Sequence, residues 1–126
     1  MAEQQSSIIE KDNILERRFS GELTITTSVN SGGKFLTNIF SQVGRTQNLP
    51  TPFTSHAIGQ VSPNNREIKI DTVNYSFDVG QKKVDFTIEI KENGQLIKTF
   101  HNEVELTHQT SVVVFNTFLR WPVEDD

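Results

Sequence analysis

The run 111–121, SVVVFNTFLRW, constrains this chain more than any other stretch. Successive side chains of a strand point to opposite sides. Val112, Val114 and Phe118 then share one face with Asn116, and Val113, Phe115, Leu119 and Trp121 share the other with Thr117. A strand solvated on one side shows polar residues there. This one is apolar on both sides and predicts two covers. The first is the domain's own core, read here as lying on the Asn116 side. The second, over Val113, Phe115, Leu119 and Trp121, is read as a subunit interface, because so short a chain supplies few further layers.

With 126 residues the chain fits one domain over 1–126, with 1–7 and 122–126 expected as loose tails. Phe supplies 9 of the aromatic residues, against one Trp and one Tyr, which gives material for one modest core. A net charge of -4 argues against nucleic acid or an anionic membrane as partner. The absence of cysteine excludes disulfides, thiolate metal sites and cysteine nucleophiles. The start of the chain has no basic stretch followed by an apolar one, and no apolar run reaches membrane-spanning length, so the expected location is cytoplasmic. The sequon Asn74-Tyr75-Ser76 matters only in a secreted protein.

Strand signals recur along the chain. Residues 8–19 fit either a short helix or a strand over 14–19, and the strand is preferred because Ser20-Gly21 supplies a bend. Residues 22–29 are rich in Thr and β-branched side chains and predict a strand. A turn at Asn30-Ser31-Gly32-Gly33 predicts 34–42 as its hairpin partner. Residues 45–53 read as a polar loop, and 54–61 as a weaker strand. Over 67–79, Ile68 and Ile70 are out of phase with Val73, Tyr75 and Phe77, which predicts a bulge near Asp71-Thr72. Val84, Phe86, Ile88 and Ile90 alternate strictly with polar residues and mark a half-buried strand. Asn93-Gly94 is the strongest hairpin signal and predicts a return strand over 96–106, with Phe100, Val104 and Leu106 inward. The sum is an all-β fold of about eight strands, an up-and-down antiparallel barrel or, as the alternative, a small β-sandwich.

Few residues suggest chemistry. His101 shares a face with Glu103 and Glu105, but such a group along one strand reads as a solvated face, so no metal is expected. Ser31-Gly32-Gly33-Lys34 lacks the spacing of a phosphate loop. Nothing assembles an activated nucleophile or an acid–base pair, so the chain is read as non-enzymatic. Asn116, taken as inward, needs hydrogen-bond partners: another side chain or water on one reading, a ligand on the other. Ser41 and Tyr75 are the polar groups that would join it in a pocket.

In strand order and short matches, residues 19–121 resemble the avidin and streptavidin family. GELTITTSVNSGGKFLTNIFSQVG looks like its second and third strands, Thr72-Val73 with Tyr75 its fifth, 86–106 its sixth and seventh, and 110–118 its last. Asn116 falls where the family holds the ureido group of its ligand, and Ser41 matches a ligand-contacting serine. The resemblance places Tyr75, Phe86 and Val104 at aromatic box positions, and His108 near the family's cross-subunit lid. It also implies a closing strand packed on a neighbouring subunit. The departures are in the same box. Trp121 is the chain's one tryptophan, and Arg18, Glu22 and Ile39 stand where the family places its ureido-oxygen donors.

The resemblance implies an oligomeric barrel, dimer or tetramer, with a small-molecule pocket degenerate for biotin and no other cofactor. Its ligand-binding residues would be Asn116, Ser41, Tyr75, Phe86 and Ile39. Its interface would comprise Val113, Phe115, Leu119, Trp121 and His108. The alternative from a different class is a β-sandwich interaction module, such as an inhibitor, adhesin or virion component, with a solid core.

Overall fold

The computed structural model describes residues 7–30, 33–42 and 46–123. Among them are nine strands and no helix: β1 (Ser7–Glu16), β2 (Leu23–Val29), β3 (Lys34–Ser41), β4 (Gln47–Pro50), β5 (Phe53–Gly59), β6 (Glu67–Ser76), β7 (Lys83–Glu92), β8 (Gln95–Glu105) and β9 (Thr110–Arg120). They form two sheets, one ordered β1-β9-β6-β3-β4 and the other β5-β2-β7-β8. The architecture is therefore a two-sheet sandwich and not the closed barrel. Of consecutive strands, only β3–β4 and β7–β8 are neighbours within a sheet. Every other connection changes sheet, which an up-and-down barrel does not do. The first and last strands pair in parallel, from Ile8 opposite Val112 to Glu16 opposite Arg120.

The strands follow their apolar alternation. In β7, Val84, Phe86, Ile88 and Ile90 are wholly buried, and β2 adds Leu23 and Ile25 to the same inner face. The opposing sheet contributes Phe35 and Ile39 from β3, Ile68 and Ile70 from β6, and Val113, Phe115 and Leu119 from β9. Phe86 and Phe115 stack across the two sheets with ring centroids 4.7 Å apart. The hairpin turn at Asn93-Gly94 forms as its sequence requires, with φ of 49° and 82°. Asn93 also ties the turn to β2, where its Oδ1 accepts from the Glu22 amide at 3.1 Å.

Several expectations change. β2 and β3 enter different sheets and do not form a hairpin. The stretch expected as a loop contains β4, whose four residues pair with β3 from Ile39 opposite Gln47 to Leu36 opposite Pro50. β6 keeps one phase throughout, with Ile68, Ile70, Thr72 and Asn74 buried, so no bulge interrupts it at Asp71-Thr72. Val73 and Tyr75 are apolar residues on its other face. The first strand starts at Ser7 and not at residue 14, so Ser7 is not part of a tail. Residues 1–6 and 124–126 of the expected tails lie outside the described residues, as do Ser31 and Gly32 of the expected turn. The main-chain oxygen of Pro122 accepts from Arg66 Nη2 at 2.7 Å.

The most consequential change concerns β9. Val113, Phe115 and Leu119 face the domain's own core and are fully buried. The subunit interface read onto them is therefore corrected: their cover is the opposing sheet, through Phe86. Asn116, Val112, Val114 and Phe118 are on the outer face. The sequence pattern alone is symmetric about the strand, and only packing tells the two faces apart.

Candidate interaction face

The outer face of the five-stranded sheet is organised in rows that its strand register fixes. Residues directly opposite one another on paired strands share a face. One row runs Asp12, Asn116, Asp71, Asn38, Asn48 across all five strands. On one side of it lies the row Glu10, Val114, Val73, Leu36, Pro50. On the other lies the row Ile14, Phe118, Lys69, Phe40. Neighbouring rows are about 7 Å apart, two residues along a strand. A polar row thus runs between two rows that are mainly apolar, apart from Glu10 in one and Lys69 in the other.

The polar row is buried at its middle and open at its ends. Asn116 is 8% exposed and Asp71 and Asn38 are half-buried, whereas Asp12 and Asn48 are exposed. Nδ2 of Asn116 donates to Oδ1 of Asp12 at 2.9 Å, which fixes the amide. Oδ2 of Asp71 pairs with Lys69 Nζ at 3.4 Å, whereas its Oδ1 is buried without a hydrogen-bond partner. Burial pushes the Asp71 carboxyl above its ordinary range, Lys69 pulls it back, and Glu10 and Asp12 push it up further.

Four large apolar side chains of this face are each 40% to 65% exposed: Ile14 and Phe40 in one flanking row, and Ile8 and Tyr75 beyond the other. Phe118 lies under two cations, with Arg120 Cζ 4.7 Å and Lys69 Nζ 5.6 Å from its ring centroid. Arg120 is held by Glu67 at 2.9 Å. At the lower margin, Phe40, Ser41, Gln42, Glu67 and Lys69 line a groove of about 340 Å³.

The structure does not gather the five residues expected to bind a ligand. Asn116 is in the polar row and Tyr75 is exposed on the same face four residues further along β6, whereas Ser41 lies opposite Ile68 at the other end of the sheet and lines the groove, where its Oγ donates to Asn65 Oδ1 at 3.2 Å. Phe86 and Ile39 belong to the packed core. Of the expected interface residues not already placed in the core, Trp121 is half-buried against the core's rim and His108 is exposed in the turn between β8 and β9. His101, on the other sheet, pairs with Asp85. Among the described residues no three or more His, Asp or Glu side chains are grouped to hold a metal, and no helix is long and apolar enough to cross a membrane.

Sequence reasoning missed Asp12, Asp71, Asn38 and Asn48. Each is an ordinary outward polar residue in its own strand. Their alignment appears only once the register of four strand pairs is known. Models of known protein families, characterised proteins and solved structures were all compared with this chain, and none matches it.

Proposed function

We propose that this chain is a non-enzymatic β-sandwich interaction module and that it docks another protein through the outer face of its five-stranded sheet. The observation that supports this reading is that Ile8, Ile14, Phe40 and Tyr75 are all exposed on the one face that also carries the polar row. Scattered single apolar residues are ordinary on a protein surface, but an apolar patch interleaved with fixed polar groups suits an interface. Four strands of 8 to 11 residues and the four-residue β4, at about 4.8 Å between strands and about 3.3 Å per residue, make a face on the order of 700 Å², close to the share of about 800 Å² that one partner contributes to a standard interface. Both cations of the face are held in ion pairs, Lys69 with Asp71 and Arg120 with Glu67. That suits a binding surface better than proton-transfer chemistry.

Selection of binders from a random peptide library displayed on phage, on the immobilised domain, tests the reading. Backbone amide shifts on adding a selected peptide are expected to cluster at the outward residues of β1, β9, β6 and β3. Shifts that cluster on the β5-β2-β7-β8 sheet would overturn it.

A further inference from the structure

We infer that the partner presents a basic side chain, arginine or lysine, between two apolar ones, so that the cation reaches the Asp12–Asn116–Asp71 row while the apolar groups rest on the rows beside it. This rests on the docking face proposed above and names the chemistry of its occupant. Three observations carry it.

The first is the layout of the face. The polar row lies between Val114 and Val73 on one side and Ile14 and Phe118 on the other. A flat apolar surface would cover the flanking rows and leave carboxylates desolvated and unpaired beneath it, which is costly. An occupant therefore needs a hydrogen-bond donor at its middle. The second is the kind of polar group there. The exposed Asp12 carboxylate only accepts, and the Asn116 Nδ2 donor beside it is already given to Asp12. The mostly buried Asp71 has its Oδ2 on Lys69. The third is charge. Between the rows of Glu10 and Glu16 the face holds five carboxylates, those of Glu10, Asp12, Glu16, Glu67 and Asp71, and two cations, Lys69 and Arg120. Both cations are already tied to carboxylates, at 3.4 and 2.9 Å. The surplus is three negative charges. Two copies of this face laid together would oppose like charges, whereas a basic partner would neutralise them. The occupant is thus a different chain and not a second copy.

Two helical peptides test this. Each has 18 residues, built from Ala and Gln, with Leu at the first and third of three positions spaced four residues apart on one face. The middle position is Arg in one peptide and Glu in the other. A spacing of four helical residues is about 6 Å, close to the spacing of the rows. Fluorescence anisotropy with the full chain is expected to show the Arg peptide binding at least tenfold more tightly than the Glu peptide. The double variant Asp12→Asn/Asp71→Asn should erase that preference. The double variant Glu89→Gln/Glu103→Gln, on the other sheet and with the same change in charge, should keep it.

Equal affinity of both peptides, with binding still lost in Ile14→Asp, would overturn the basic partner and leave the docking face standing. Equal loss of preference in both double variants would reduce it to the net charge of the protein and overturn it. Binding of neither peptide up to 1 mM would overturn it as well. So would self-association of the wild type in sedimentation velocity that Ile14→Asp abolishes, because the occupant would then be a second copy.

Discussion

Phe86 of β7 and Phe115 of β9 stack at 4.7 Å with their rings 21° apart, and this contact joins the two sheets at the centre of the core. Both side chains are wholly buried. The stack decides which face of β9 is inside, and so which face is left to solvent.

Phe115→Ala should therefore cost folding stability and not association. Removing a buried aromatic ring costs about 3–5 kcal/mol. Urea unfolding should show a lower midpoint for the variant at any protein concentration. A variant as stable as the wild type that only changes oligomeric state would return Phe115 to an interface.

Asn13 on β1 and Asn102 on β8 clamp the open edge between the sheets. Each donates its Nδ2 to the other's Oδ1, at 2.7 and 3.3 Å. Asn13→Ala leaves the Asn102 amide without its partner and should cost about 1–3 kcal/mol. The Asn13→Ala/Asn102→Ala pair should cost less than the sum of the two single changes, with a coupling of about 1 kcal/mol. Amide hydrogen exchange should quicken first in β1, which is then held by its parallel pairing with β9 and by Ile9 and Leu15 against the core. Strictly additive costs would mean that the pair does not act as a clamp.

Asp71 carries a pH signature. Its carboxyl is held above its ordinary range of about 4 by burial, with Glu10 and Asp12 adding to the effect and Lys69 opposing it. A raised carboxyl favours the protonated form in the folded state. Its contribution to stability is thus full below the unfolded value and is lost as pH rises through the folded one. Asp71→Asn, which cannot ionise, should be the more stable protein at pH 7, and that advantage should shrink below pH 4. Unfolding midpoints of the two proteins across that range check it. A variant less stable at pH 7 would mean that the Lys69 pair outweighs burial.

The strands were legible in the sequence where one face alone is buried. Val84 to Ile90 and the Asn93-Gly94 turn follow from alternation and turn chemistry. The existence of β9 was also legible, because its run is long and rich in Val and Phe. Its sidedness was not, since Val112, Val114 and Phe118 are as apolar as Val113, Phe115 and Leu119. In β6 the same two-sided character mimicked a bulge, because Val73 and Tyr75 are outward apolar residues. Sheet membership was hidden too. A turn rich in Gly and Asn serves a crossover between sheets as readily as a hairpin, as β2 and β3 demonstrate. The candidate face lay furthest from view. Asn116 and Tyr75 attracted notice for a pocket, while the row that Asn116 belongs to is a property of pairing between strands up to about a hundred residues apart in sequence.

The most direct test of the docking face is the affinity of a library-selected peptide for the wild type and for Ile14→Asp. Ile14 is 52% exposed, so the change should move the unfolding midpoint little while placing a charge in an apolar row of the face. The account predicts at least a tenfold loss of affinity with an unchanged midpoint. Affinity equal to that of the wild type in the folded variant would contradict it and move the working surface elsewhere on the molecule.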